Sequence, residues 1–166
     1  PKNHSTRIQV PVDQYYVDVI SRFYPTLEYV GELDNQHGDN RPIFLSEYSH
    51  SMGNSTGNMK EFWELFRLRP RIIGGCIWDF KDQGLLKKDS TGKEYLAYGG
   101  DFGEERHHGN FCINGIVASN GRPKSAMYVC KHIYQPVECQ LVNHESKRMK
   151  IKNRSAVLNT NAYLAK

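Results

Sequence analysis

Long apolar runs are missing from this sequence. Nothing approaches the roughly 18 consecutive apolar residues that a bilayer span needs, and Pro1-Lys2-Asn3-His4 does not read as a signal peptide. A soluble segment is expected, cytoplasmic rather than periplasmic or secreted, with no membrane partner. Paired cysteines are missing too. Cys76, Cys112, Cys130 and Cys139 show no C-x-x-C spacing, and neither Cys130/His132 nor His107/His108/Cys112 has the paired spacing of a structural zinc site. The four therefore read as buried or free thiols, and Cys76 lies in an apolar run.

Charge of one sign is scarce. The 22 Lys and Arg stand against 18 Asp and Glu, and the excess of +4 gathers only at Lys147, Arg148, Lys150, Lys152 and Arg154. Met149 and Ile151 alternate with these, as in a strand with one wet face, so no nucleic-acid partner is expected. Nucleotide and serine-hydrolase signatures, G-x-x-x-x-G-K-[ST] and G-x-S-x-G, do not occur. Asp101-Phe102-Gly103 matches the kinase metal-binding triplet, but without a catalytic-loop H-R-D it is a coincidence. Asn3-His4-Ser5, Asn54-Ser55-Thr56 and Asn153-Arg154-Ser155 fit the glycosylation pattern, which is too short to decide anything alone. Disorder is excluded by 39% hydrophobic residues and by 14 Gly and 7 Pro in 166 residues, close to the average of about 12% for these two in globular proteins.

What is present alternates. Residues 16–24 (YVDVISRFY) are β-branched and aromatic and predict a strand that stops at Pro25, followed by a short helix over 25–33. Residues 43–48 (IFLSEY) predict a second strand, nearly continuous in apolar residues as strands buried on both faces are. Met59, Phe62, Trp63 and Phe66 fall on one helix face, with Asn54 and Ser55 as N-cap candidates and Pro70 as the stop. Residues 72–80 (IIGGCIWDF) predict a third strand, in which Gly74-Gly75 marks a close approach of another chain segment. Residues 81–117 form a long polar, Gly-rich excursion, and 123–133 a closing helix with Ala126, Val129, Cys130 and Ile133 on one face. From Pro136 the period becomes two, through Val137, Cys139 and Leu141, a turn, then Met149 and Ile151.

Strand-helix alternation with short links implies parallel strands with right-handed crossovers, as in a doubly wound sheet or a (β/α)8 barrel. A full barrel takes at least about 200 residues, so residues 1–135 hold about half of one, its C-terminal half. Residues 136–166 begin a β domain that falls short of the roughly 100 residues of a sandwich. The fold class is α/β, and an internal fragment of a longer protein is expected.

Glu47 is the residue to explain. A carboxylate beside Ile43-Phe44-Leu45, at the end of a parallel strand, is costly to desolvate without a partner. A strand-end Glu capped by an Arg or a helix is the plain alternative. Tyr48, His50 and Asn54 follow at once, while Tyr24 closes the preceding strand and Trp78 with Asp79 the following one. Such polar groups bind sugar hydroxyls and aromatic rings stack on sugar C–H faces, although Trp78 is equally a core residue by pattern.

The run Arg41-Pro42-Ile43-Phe44-Leu45-Ser46-Glu47-Tyr48-Ser49-His50-Ser51-Met52-Gly53-Asn54-Ser55 resembles the nucleophile signature of the beta-galactosidases in glycoside hydrolase family two. The likeness continues in order through Pro70-Arg71, Gly74-Gly75, Trp78-Asp79, Asp82-Gln83, Tyr98 to Gly103, Asn110 to Gly115, and Lys131-His132 to Gln135-Pro136. It implies a retaining hydrolase of terminal β-galactosides such as lactose, with a TIM barrel as catalytic domain and a homo-oligomeric full-length protein. By that resemblance Glu47 is the nucleophile, Tyr24 contacts it, His50 binds galactose hydroxyls, and Trp78 floors the galactose subsite. The Phe111 carbonyl and the Asn114 side chain correspond to a sodium site at which the ion touches a sugar hydroxyl. The parent is expected to use Mg2+ and Na+, the magnesium ligands lying mainly upstream. Residues 136–166 resemble the start of the immunoglobulin-like β-sandwich that follows the barrel.

Departures from the family pattern matter as well. The family's acid/base is a Glu after an Asn, and no Asn-Glu pair occurs here. Glu104 to Gly109 replaces a Pro-Asn-Asp type run, and Lys124-Ser125-Ala126 a His-Pro-Ala type run. The partners expected are a β-galactoside and the remainder of the barrel. A noncatalytic galactoside-binding or complementing fragment is the rival in a different class.

Overall fold

The computed structural model describes residues 13–162. The N-terminal tetrapeptide and the Asn3-His4-Ser5 pattern lie outside them. The chain divides into two units, one up to Val129 and one from Cys130.

The first unit is built on three parallel strands in the order β1 (Ile20–Phe23), β2 (Ile43–Tyr48), β3 (Ile72–Ile77), connected by helices α1 (Leu27–Asp34) and α2 (Met59–Leu68). β1 is shorter than the strand expected over 16–24. The ladder opens where the Ile20 amide donates to the Pro42 carbonyl, and β2 offers nothing earlier to pair with. Upstream carbonyls serve instead as acceptors for the Arg41 guanidinium, at 2.8 Å from Gln14 and 3.0 Å from Val17.

One sheet face is sealed. Ile20, Ile43, Leu45, Tyr48 and Ile72 are buried there with Val30 and Leu33 of α1 and Met59, Phe62 and Phe66 of α2. Tyr48 lies edge-on to Phe62 and Phe66, and Trp63 Nε1 donates to its hydroxyl at 3.0 Å. Trp63 is thereby held on the helix face that the spacing predicted. The other sheet face is open: Phe23 and Ile73 are exposed and Phe44 is half-buried. Residues 43–48 are therefore not covered on both faces as expected. All four cysteines are free thiols, as expected, and Cys76, although it lies in an apolar run, is exposed because this sheet face is open.

Local chemistry fixes the ends. Thr26 Oγ1 caps α1 by accepting the Tyr29 amide, and Arg71 donates to the Leu33 and Asp34 carbonyls at its far end. Neither Asn54 nor Ser55 caps α2. Asn58 takes that position in a left-handed conformation, while the Ser55 hydroxyl donates to the His50 carbonyl. The Gly74-Gly75 expectation of a close approach lands on Gly75, where a Cβ would lie 2.7 Å from the Leu45 Cβ.

The excursion after β3 is not all loop. β4 (Leu85–Lys88) and β5 (Glu94–Ala97) form an antiparallel hairpin, closed by Asp89, which accepts from the Thr91 and Lys93 amides. The chain then returns to bridge Lys81 with Val117. α3 (Ser125–Ile133) crosses into the second unit with Cys130 and Ile133 buried but Val129 exposed, so its apolar face is only partly covered. The second unit is the hairpin β6 (Val137–Asn143) and β7 (Arg148–Asn153), with Cys139 opposite Ile151 and Leu141 opposite Met149. Leu141, Met149 and Ile151 are exposed, so the expected dry face is not covered. Among the described residues no helix is long and apolar enough to cross a membrane.

Candidate active site

Because β1, β2 and β3 run parallel, their C-terminal ends share one edge, and Tyr24, Glu47 and Trp78 all stand at or just past it. The Tyr24 amide donates to the Glu47 carbonyl at 2.9 Å, and a left-handed turn at Tyr24 (φ 46°) carries the chain away from the sheet. Burial raises the pKa of the Tyr24 phenol, and the facing Glu47 carboxylate and the Asp79 charge push it the same way. The phenol thus stays protonated at neutral pH.

A sign follows for alkaline stability. Above the ordinary phenol pKa near 10 the unfolded chain releases this proton and the folded chain holds it. The stabilisation is therefore complete below that pH and is lost as pH rises toward the folded value. Melting temperatures across about pH 9 to 11 are expected to fall less steeply in Tyr24→Phe than in the wild type; parallel curves would refute the assignment.

His50 follows on the loop after β2, its ring 6.0 Å from Tyr24 and 6.1 Å from Phe111, centre to centre. Its Nδ1 accepts the Met52 amide at 3.3 Å, so the neutral imidazole carries its proton on Nε2 and can donate it. Two backbone bonds tie this loop to the next strand end, Trp78 N–H to the Tyr48 carbonyl and Ser51 N–H to the Trp78 carbonyl. Trp78 is 36% exposed, which leaves ring area for a ligand. Asn54 is exposed on the same loop.

Phe111 and Asn114 come from the far end of the excursion. Asn114 is 2% exposed; its Nδ2 donates to the Phe111 carbonyl at 2.6 Å, whereas its Oδ1 is buried without a partner. A buried acceptor left unmade costs about 1 to 3 kcal/mol. Asn114 Oδ1 and the Phe111 carbonyl are both neutral, hard oxygens, the donor type that suits a hard cation such as sodium, and it is Nδ2 rather than Oδ1 that faces the carbonyl. Among the described residues no three His, Cys, Asp or Glu converge.

Three residues beside this site were not singled out by sequence reasoning as its scaffold. Asp79 accepts from Gln83 Nε2 and brackets Asn114 by two backbone bonds, Asp79 N–H to the Asn114 carbonyl and Ile116 N–H to its own. Asp82, buried, accepts both the Gly115 amide at 2.8 Å and Lys124 Nζ at 2.6 Å. Asp82 and Lys124 are 42 residues apart, a separation at which no local spacing gives a signal.

Comparison with known proteins adds the family. Residues 3–139 match the model of the glycosyl hydrolases family 2, TIM barrel domain. The Beta-galactosidase of Priestia megaterium (strain DSM 319 / IMG 1521) is 44% identical over 123 residues, 74% of this chain and 12% of that protein. The Beta-galactosidase of Pseudoalteromonas haloplanktis is 46% identical over 104 residues, 63% of this chain and 10% of that protein. That of Leuconostoc mesenteroides is 40% identical over 130 residues, 78% of this chain and 12% of that protein. The chain thus spans about a tenth of the length of these relatives. With its parallel strands and crossover helices, it belongs to the glycosyl hydrolases of family 2 and carries part of their TIM barrel domain.

Proposed function

We propose that this chain supplies the nucleophile side of the active site of a retaining beta-galactosidase that acts on terminal β-D-galactosides of the lactose type. The observation that carries the reading is Glu47 at the C-terminal edge of a parallel sheet, facing a protonated Tyr24 with His50 alongside. Relatives named Beta-galactosidase support it. The Glu47 carboxylate attacks the anomeric carbon as the bond to the leaving oxygen breaks, its electron pair departing with that oxygen. Water then attacks the same carbon, releases Glu47 and loses a proton. Two displacements at one carbon retain its configuration.

The other residues assist this exchange. Tyr24 holds its phenol toward Glu47, His50 Nε2–H reaches sugar hydroxyls, and the Trp78 ring stacks on a sugar face. The Phe111 carbonyl and Asn114 Oδ1 would hold sodium, which when bound supplies a positive charge for a sugar hydroxyl. No Asn-Glu pair occurs in the sequence, so the acid/base comes from another part of the parent. The open sheet face carrying Phe23 and Ile73 suits the interior of a closed (β/α)8 barrel completed by the remainder of the parent. The β6–β7 hairpin would open an immunoglobulin-like sandwich that covers Leu141 and Met149.

The test is covalent. A 2-deoxy-2-fluoro-β-galactoside with an activated leaving group needs little acid assistance, so it probes nucleophile and pocket. Intact mass and peptide mapping of the parent protein should find one adduct, on Glu47. An adduct on another carboxylate would overturn the assignment.

A further inference from the structure

The Asp82–Lys124 pair lies outside the proposed chemistry, yet it is clamped to the segment that carries Asn114. One carboxylate oxygen, Asp82 Oδ1, receives both Lys124 Nζ at 2.6 Å and the Gly115 amide at 2.8 Å. The Asp82 backbone is pinned from both sides, its amide to the Val117 carbonyl and its carbonyl by the Ser119 hydroxyl. Lys124 is held in turn, its amide donating to the Ile116 carbonyl. Gly115 sits so close to this strand that a Cβ would be 2.2 Å from the Asp82 amide nitrogen. The peptide between Asn114 and Gly115 is therefore gripped at the Asn114 carbonyl by Asp79 and at the Gly115 amide by Asp82.

Asp82 is buried and Lys124 half-buried, and an ion pair with a desolvated partner contributes little to stability over apolar packing, so holding one needs another reason. Its nearest consequence is a fixed backbone at Asn114, whose side chain, tied through Nδ2 to the Phe111 carbonyl, leaves Oδ1 buried without a partner. We propose that the Asp82–Lys124 ion pair is a positioning device that holds the Asn114–Gly115 peptide so that Asn114 Oδ1 is presented to a monovalent cation. The inference rests on the cation reading of Phe111 and Asn114. Lys124 acts through Asp82 and touches neither cation nor sugar. Removing its charge frees the Asp82 carboxylate to turn away from the Gly115 amide, and the orphan oxygen then loses its fixed aim.

The test uses the parent protein with sodium ion as the probe, read by 23Na line broadening during a NaCl titration in a potassium-free buffer. Lys124→Met and Asp82→Asn should weaken sodium binding by about tenfold, the factor equivalent to 1.4 kcal/mol. Lys124→Arg, which keeps the charge, should restore it to within about threefold of wild type. Fluorosugar labelling of Glu47 at saturating NaCl should persist in all three, separating a displaced cation site from a collapsed pocket. Wild-type sodium affinity in Lys124→Met, with only a lowered melting temperature, would refute the positioning role. If Lys124→Met fails to fold, Asp82→Asn and Lys124→Arg decide, since unchanged affinity in Asp82→Asn refutes the role equally. Asn114→Ala separates the two layers. Unchanged sodium binding there sinks the cation reading and this proposal with it, whereas loss there with full binding in Lys124→Met sinks this proposal alone.

Discussion

Replacing Glu47 with alanine in the parent protein is expected to lower kcat on a β-galactoside by a factor on the order of 10^4 or more, the scale set by removal of other enzymatic nucleophiles. The same variant leaves a gap on the side from which the carboxylate would attack. A small anion should therefore rescue it. With an activated β-galactoside and sodium azide, azide attacks the anomeric carbon while the leaving group departs with its electron pair, and the product is the inverted α-galactosyl azide. Proton NMR of that product reports its configuration. Activity in Glu47→Ala within about tenfold of wild type, or a β-configured azide, would overturn the nucleophile assignment. Tyr24 gives an independent check: Tyr24→Phe removes the phenol beside Glu47, so kcat should fall while the fluorosugar adduct still forms on Glu47.

Gly115→Ala should be the most damaging single methyl group in the first unit. The added Cβ would lie 2.2 Å from the Asp82 amide nitrogen and 2.4 Å from the Lys81 carbonyl carbon. Both are backbone atoms, fixed by the Lys81–Val117 bridge and by the Asp82 amide bond to Val117, so no side chain can swing aside. A loss of about 3 kcal/mol is expected, at the upper end for overpacking, together with weakened sodium binding because Asn114 is the preceding residue. Gly31 is the natural control. It lies within α1, nothing stands within 4 Å of its Cβ position, and its φ is ordinary for a helix. Gly31→Ala should therefore stabilise by about 0.5 to 1 kcal/mol. Thermal and urea unfolding of the two variants check the opposite signs. Equal effects would show that close approach does not govern the Gly115 position.

What was legible in the sequence follows the range of the forces involved. Helix α2 was readable because Met59, Phe62, Trp63 and Phe66 repeat at helical period, and that period is local. Its cap was misread because Asn54 and Ser55 look like caps, whereas the loop between β2 and the helix uses Ser55 to hold the His50 carbonyl. The β4–β5 hairpin was missed for a related reason. Each strand is four residues long and largely exposed, so neither carries a dry face, and only the Asp89 to Gly92 turn marks it. Cys76 shows the limit of composition: an apolar run predicts burial only if something covers both faces of the sheet, and here one face is open.

By itself the sequence determined the strand-helix alternation, the parallel sheet it implies, and the presence of Glu47 at a strand end, because each depends on near-neighbour periodicity and on the cost of burying an unpaired carboxylate. The resemblance already set Tyr24 beside that carboxylate; only the tertiary structure decided that Asn114 buries an unpartnered oxygen and that Asp82 joins Lys124 across 42 residues. Those contacts exist because parallel pairing brings the ends of successive strands to one edge and the long return from β5 lays residues 111–124 against residues 79–83. Spacing along the chain carries no record of contacts made by such a return.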